Sequence, residues 1–144
     1  MVDWILMKKL FLGIFFLILF YSKSSYANNL DCTLNKAEPI GEQLINKKAA
    51  NEEIIGSKAR IELQIKTRSL FLEDEKRGKR KFEITKEGPN YLFADFIKIL
   101  EEGAQTDTVS IGYDSLKVFR NIINEIKSTK EVVGINISYQ CKKL

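Results

Sequence analysis

The 144-residue chain contains no histidine, only two cysteines, two prolines and a single tryptophan. Without histidine it has no Ser/His/Asp or Cys/His set for nucleophilic catalysis and no imidazole ligand for a metal. It also has no glycine-rich phosphate-binding loop. These absences exclude histidine-dependent hydrolases and P-loop enzymes, and they give no reason to expect a metal or another cofactor. An enzyme that uses carboxylate, lysine or tyrosine side chains stays open as an alternative.

The first 27 residues differ in composition from the rest of the chain. Lys8 and Lys9 precede the apolar run 10–21, and a short polar stretch then leads to Ser25-Tyr26-Ala27. A basic start, an apolar run of this length and a small-residue end are typical of a secretory signal peptide, so we predict cleavage after Ala27. A retained membrane anchor is the alternative, although a spanning helix needs about 20 apolar residues.

Removal of this leader would change the composition and predict the compartment. It would take away the tryptophan, both methionines, three lysines and one aspartate, so the formal net charge would fall from +4 to +2. A nearly balanced charge argues against nucleic acid as a partner. We therefore expect a periplasmic or secreted protein that consists of one domain, residues 28–144. The sequence leaves open whether translation starts at Met1 or at Met7.

Both cysteines lie in stretches of alternating apolar and polar residues. Near the end of the chain the apolar positions share one parity: Val133, Ile135, Ile137, Tyr139 and Cys141. Cys32 shares its parity with Leu30 and Leu34 in the same way. Alternation of this kind predicts strands with one buried face. Because an exported protein meets an oxidising environment, we predict a disulfide between Cys32 and Cys141 that links the first and last strands.

The rest of the chain predicts further strands and leaves two segments ambiguous. Alternation favours a hairpin over 59–85 with a charged tip at 73–81, and a strand over 108–113. Residues 91–100 fit a helix and a strand about equally. For 116–127 we prefer a helix, since Leu116, Phe119, Ile122, Ile123 and Ile126 share one helical face, although a strand paired with 108–113 is the alternative. Residues 42–55 fit a weak helix or a mobile connection.

The expected fold is therefore mainly β, as a small antiparallel sheet, sandwich or half-barrel with one or two peripheral helices. Seven aromatic residues are expected to belong to its core rather than to a ligand site, although a small barrel could hold an apolar ligand among them. They are Phe71, Phe82, Tyr91, Phe93, Phe96, Phe119 and Tyr139.

Charged residues are grouped in three places. Glu73-Asp74-Glu75 and Glu101-Glu102 with Asp107 are expected to be solvated loop charges, because neither group has the ligand spacing of a calcium loop. Paired carboxylates can also perform acid/base catalysis, so these groups carry the hydrolase alternative. The basic group is predicted at the hairpin tip and is the candidate anion-binding site. It consists of Lys76, Arg77, Lys79, Arg80 and Lys81.

The segment Thr108–Val118 and the ending Tyr139-Gln140-Cys141-Lys142-Lys143 resemble parts of short exported proteins of unknown function from AT-rich alphaproteobacteria. The resemblance covers about the last third of the exported chain. It implies a hairpin for the Thr108–Val118 region, which disagrees with the helix preferred above. It implies no activity and no functional residue.

Together these features predict an exported periplasmic protein that is a non-catalytic binding or interaction module of the cell envelope. Its partner would be an anionic envelope component or another periplasmic protein. The alternatives are a carboxylate-dependent envelope hydrolase and a membrane-associated envelope factor that keeps its leader.

Overall fold

The computed structural model describes residues 29–41 and 53–144, and within these ranges it forms a closed antiparallel barrel of eight strands. Each strand pairs with its neighbour in sequence, and the last pairs with the first. The strands are β1 (Asn29–Ile40), β2 (Lys58–Gln64), β3 (Ser69–Asp74), β4 (Gly78–Glu87), β5 (Tyr91–Leu100), β6 (Gly103–Gly112), β7 (Lys117–Ile126) and β8 (Glu131–Lys143). The predicted leader, 1–27, and most of the segment 42–55 lie outside the described residues.

Side chains of one parity on every strand fill the interior of the barrel. A barrel of eight strands is just wide enough for its inward side chains to meet, so it needs no separate layer to cover its core. The largest side chains that are almost completely buried come from all eight strands: Leu34, Ile61, Leu70, Leu72, Phe82, Ile84, Leu92, Val109, Ile111, Val118, Ile137 and Tyr139. This core confirms the predicted antiparallel β fold and closes it into a barrel rather than a sandwich or half-barrel.

The helix predicted for 116–127 is wrong, because these residues form β7 with one turn residue at each end. Val118, Arg120 and Ile122 point into the barrel, whereas Phe119 is exposed. The helical pattern arose because an arginine occupies one inward position, which hides the two-residue period. The ambiguous segment 91–100 is also a strand, β5. Among the described residues the only helix is the short 3-10 turn Ile65–Thr67, so the expected peripheral helices are not seen there.

Residues 59–85 form three strands rather than the single long hairpin that the sequence predicted. The chain reverses after Gln64 through the short 3-10 turn and through Arg68, whose φ of 49° is in the left-handed region. It reverses again between Asp74 and Gly78, where Gly78 has a φ of 74°. The interrupted alternation at 69–72 therefore marks a new strand.

The pairing of β1 with β8 closes the barrel, and the disulfide lies within it. Cys32 is directly opposite Cys141, and the two are bonded, as predicted. Both cysteines are buried in the core. The bond therefore joins residues 109 positions apart in the chain at the seam where the sheet closes.

Five strands continue beyond the closed part of the barrel. The pairing of β1 with β2 ends at Thr33↔Lys58, and that of β4 with β5 ends at Glu83↔Asp95. Beyond these points the strands β5, β6, β7, β8 and β1 stay paired, in that order, as an open sheet. We call this part the sheet extension; it comprises residues 96–100, 103–107, 122–126, 131–138 and 36–40.

We predict that loss of the disulfide lowers stability markedly. In the chain-entropy view, a bond closing a loop of this length contributes about 4–5 kcal/mol, although measured values are often smaller. The double variant Cys32→Ala/Cys141→Ala should therefore unfold at a clearly lower urea concentration than the oxidised protein. Reductant should lower the midpoint of the wild type and leave that of the double variant unchanged. Equal midpoints for oxidised and reduced wild type would contradict the prediction.

Candidate functional site

Large apolar side chains cover the solvent side of β5 and part of β7. The exposed fractions are 44% for Phe93, 65% for Ile97, 77% for Ile99 and 53% for Phe119. We call these four side chains, with the strand surface between them, the outer face. Asp95 lies between Phe93 and Ile97 on the same side of β5. Large exposed apolar patches on monomeric soluble proteins often mark an interaction site. The outer face is therefore the candidate functional site.

The pairing register explains how the outer face is built. Phe93 is opposite Ser110 on β6, and Ser110 is opposite Phe119 on β7. The two rings thus stand two strand spacings apart, about 10 Å, with a small residue between them. A surface depression of about 340 Å³ lies here, and Thr108, Asn121 and Asn136 from the next row also line it. Apolar walls next to hydroxyl and amide groups suit a peptide or protein surface.

The seven aromatic residues do not all belong to the core. Phe82 and Tyr139 are buried as predicted, and the ring of Phe96 packs edge-on against Phe82 at 6.5 Å between centroids. Tyr91, Phe93 and Phe119 are exposed, so their assignment to the core was wrong. The sequence signal that could have corrected it is parity, because Phe93 alternates with the buried Leu92 and Ala94.

A second unusual feature is a cluster of charges inside the barrel. Asp107 on β6 is completely buried, and both of its oxygens accept hydrogen bonds from Arg120 on β7, from Nε at 2.9 Å and from Nη2 at 2.7 Å. Arg80 on β4 donates to the same carboxylate at 2.7 Å. The guanidinium of Arg80 also lies 4.6 Å from the ring centre of Phe96. Two arginines therefore occupy one carboxylate.

Asp74 at the end of β3 extends the cluster. Tyr139 on β8 donates its phenolic hydrogen to Asp74 at 2.8 Å, and the backbone N–H of Lys76 donates at 2.8 Å. Nη1 of Arg120 lies 3.7 Å from Asp74, and Nη1 of Arg77 lies 3.5 Å away. Side chains from β3, β4, β6, β7 and β8 thus meet across the barrel. Three guanidinium groups face two carboxylates, which leaves a net positive charge.

The surroundings of Arg120 and Tyr139 fix the protonation states of these two side chains. Burial lowers the pKa of Arg120, but the hydrogen bonds and charge of Asp107 outweigh that effect, so the pKa lies above its ordinary value. Burial is the largest cause that raises the pKa of Tyr139, and the charge of Asp74 and the hydrogen bond to it add to the rise. Arg120 acts in the opposite direction on Tyr139. At neutral pH the arginine is charged and the phenol is neutral.

The expectation that the acidic groups are solvated is wrong for two of them. Asp74 and Asp107 are buried, while Glu73, Glu101 and Glu102 are exposed. The missed signal is again parity: Asp74 follows Leu70 and Leu72, and Asp107 precedes Val109 and Ile111. Opposite charges at inward positions of different strands predict a buried ion pair once the strands are assigned correctly.

The side chains of the five basic residues predicted as an anion site point in different directions. Arg77 and Arg80 turn towards the buried carboxylates. Lys79 and Lys81 lie over the ring of Phe71, at 5.4 Å and 5.9 Å from its centre, and Lys76 is exposed. Only the lysines are left without a carboxylate partner among the ion pairs of the described ranges. Anion binding by this group stays a prediction.

Within residues 29–41 and 53–144, no set of three acidic or cysteine side chains is arranged to hold a metal ion. No helix in the same ranges has the length and apolar character needed to cross a membrane.

We predict that Asp107→Asn lowers the free energy of unfolding by about 3–5 kcal/mol, because it removes the charge to which buried Arg120 is hydrogen-bonded and leaves only Asp74, 3.7 Å away. Replacing both partners, as in Asp107→Leu/Arg120→Met, should cost less than the single change. Urea unfolding measures both effects, and Glu102→Gln, at an exposed carboxylate, should stay within about 0.5 kcal/mol of the wild type. If Asp107→Asn changes the free energy of unfolding as little as Glu102→Gln does, the prediction is wrong.

The raised pKa of Tyr139 predicts an alkaline instability. Its contribution to stability is fully present below the unfolded value near 10 and is lost as the pH rises towards the higher folded value. Tyrosinate absorbance should therefore show a late ionisation that coincides with unfolding. In Tyr139→Phe this late step should disappear. Ionisation of all phenols before any loss of β circular dichroism would show the prediction to be wrong.

Comparisons with protein-family models, with curated proteins and with solved structures found no match to this chain. The resemblance of its ending to short exported proteins stays a prediction. The candidate site is therefore the outer face, which the chain's own geometry defines.

Proposed function

We propose that this chain is an exported, non-catalytic binding protein of the cell envelope that contacts another periplasmic protein through the outer face. The observation that carries the proposal is the exposure of Phe93, Ile97, Ile99 and Phe119 on one side of a small barrel. Burying these side chains against a partner would release water from apolar surface, which is the main favourable term in protein association.

The filled interior supports an external site. Small barrels that bind apolar ligands keep a cavity open at the centre. Here bulky residues close the centre, and the charged cluster of Asp74, Asp107 and Arg120 lies across it. An apolar ligand would have to displace packed side chains and separate buried ion pairs, so binding at the surface costs less.

The character of the outer face favours a protein partner. Its apolar side chains are next to the hydroxyl and amide groups of Ser110, Thr108 and Asn121, which can form hydrogen bonds at the border of a contact. Aromatic residues surrounded by polar groups are typical of the energetically important part of protein interfaces. Export is supported by the leader pattern in the sequence, and the Cys32–Cys141 bond fits an oxidising compartment.

The carboxylate-dependent hydrolase is less well supported. Glu73, Glu101 and Glu102 are exposed, and the two glutamates of the β5–β6 turn are on a different hairpin from Glu73. Asp107 is held by Arg80 and Arg120, so it has no free oxygen for a substrate. Glu73 therefore does not share a cleft with Glu101, Glu102 or Asp107; the carboxylates that line a common depression with it are Asp31, Asp74 and Glu75.

The proposal is tested by placing a photoreactive amino acid at position 93 or 119 in cells that produce the protein. We expect a discrete cross-linked product at these positions and none at position 55, where Ile55 is also exposed but lies away from the outer face. The purified partner should bind Phe93→Ser/Phe119→Ser at least about tenfold more weakly than the wild type, because truncated aromatic anchors often cost this much.

Ile55→Ser is the matched control for loss of an exposed apolar side chain, and it should leave partner affinity unchanged. Both variants should unfold close to the wild type, since exposed positions change stability little. The same products from positions 55 and 93, or none from positions 93 and 119, would contradict the proposed surface.

A further inference from the structure

The sheet extension leaves two strand edges without a neighbouring strand among the described residues. On one side, β5 continues to Leu100 after its pairing with β4 has ended at Asp95. On the other side, β1 continues to Ile40 after its pairing with β2 has ended at Thr33. A free edge presents unpaired backbone N–H and C=O groups, and it can accept a strand from another chain.

The edge of β1 is protected against such pairing. The oxygen and N–H of Leu34 bond to Gly56 and Ser57 on the β2 side, and the register shift after Leu34 brings Ala37 and Pro39 to face that side. Proline has no N–H to donate, and this edge also carries the exposed ion pair of Lys36 with Glu38 at 2.8 Å. Proline and charge are the usual means by which proteins prevent pairing at an edge.

The edge of β5 is less protected, because residues 96–100 contain no proline and only one charged residue, Lys98. The backbone oxygen of Tyr91 accepts a hydrogen bond from the N–H of Gly88, and that of Phe93 accepts one from the hydroxyl of Thr85 at 3.5 Å. Odd-numbered residues of β5 therefore direct their backbone groups towards β4. Because these directions alternate along a strand, Ile97 and Ile99 direct theirs to the free edge. Both residues keep an N–H donor, and their side chains are the most exposed apolar ones on the outer face.

Charge on the other side of the same edge indicates what would bind. Lys98 points to the inner side, next to Phe96, and the guanidinium of Arg80 lies over the Phe96 ring. The side chains of Arg77 and Arg80 are partly exposed, and the cluster below them is net positive. A strand added here would therefore meet apolar side chains on its outer side and positive charge on its inner side.

The same charge argues against a second copy of this chain. Antiparallel pairing of two β5 edges that sets Ile97 against Ile99 of the other copy also sets Lys98 directly against Lys98. Like charges at opposed positions destabilise a strand pair. An added strand that carries an acidic residue on its inner side would instead be attracted, since that carboxylate would lie next to Lys98 and Arg80.

We infer that the free edge of β5 accepts an extended segment of a partner protein in which apolar and acidic residues alternate. This inference rests on the proposed function, because it names how the partner of the outer face would bind. Backbone hydrogen bonds to Ile97 and Ile99 supply affinity, the apolar side chains lie beside those two isoleucines, and an acidic side chain lies beside Lys98.

The probe for the test is a synthetic peptide of alternating valine and glutamate, titrated into the isotope-labelled protein that begins at Asn28. We expect amide shifts centred on 96–100 and not on 36–40. The variant Ile99→Pro removes one edge donor without touching the β6 pairing, and it should weaken binding about tenfold, as expected for a lost hydrogen bond. Ala37→Pro removes the matching donor on the β1 edge and should change the affinity less than twofold.

A peptide with lysine in place of glutamate should bind at least about tenfold more weakly, and Ile99→Thr, which keeps the donor, should bind more tightly than Ile99→Pro. Equal affinity of Ile99→Pro and the wild type, shifts confined to β1, or a dimer that Ile99→Pro abolishes would each overturn the inference. If the cross-link at position 93 survives in Ile99→Pro, the proposed function stands while strand addition fails. If the peptide binds at β5 but no cross-link forms at position 93 or 119, the inference about the β5 edge is supported and the proposed function of the outer face is wrong.

Discussion

Closure of β8 onto β1 is the constraint on which the rest of the structure depends. It determines that one side chain in two points inward on every strand, and it leaves space only for those side chains. The Cys32–Cys141 bond lies in this seam and joins two residues that are directly opposite each other on β1 and β8. With the inside occupied, the surfaces that stay available for binding are the outside of the barrel and the part of the sheet that continues beyond it.

The buried charges of Asp74, Asp107 and Arg120 have a different role from the apolar core. Replacing a buried ion pair by apolar residues often leaves stability equal or higher, so such pairs are weak evidence for stabilisation. Their geometry is directional, however, because Asp107 receives its bonds from β4 and β7 while Tyr139 on β8 donates to Asp74 on β3. A strand shifted by one residue would turn each of these groups outward and leave its partner buried alone. The cluster can therefore specify the register of five strands.

Much of the barrel could be predicted from alternation alone, and the failures have one cause. Cys32, Cys141 and the strands near them follow a clear two-residue period, so the disulfide and the seam strands were predictable. Arg120 and Asp107 interrupt that period because a charge sits where an apolar residue is expected, and the helix predicted for 116–127 and the supposed solvation of Asp107 both follow from this. Neither charge pairs within its own strand, so a local pattern could not show that each neutralises the other.

The outer face was hidden from the sequence for the opposite reason. Phe93 and Phe119 are residues that usually belong to a core, and only the inward direction of their neighbours Leu92 and Val118 shows that they face solvent. The unequal lengths of neighbouring strands were also unpredictable, because pairing between β4 and β5 stops without any turn residue in β5. The free edge is therefore a property of the assembled sheet.

The seam also implies an order in which the strand pairings form during folding. Seven of the pairings join strands that are neighbours in sequence, whereas β1 must find β8 across almost the whole domain. Contacts between distant residues form slowly, because the loop that they close loses much entropy. The seven pairings between neighbours in sequence can therefore form first, and the pairing of β8 with β1 closes last. Until then β8 has a bare edge and an unpaired thiol, so the chain is most open to mispairing immediately before it is complete.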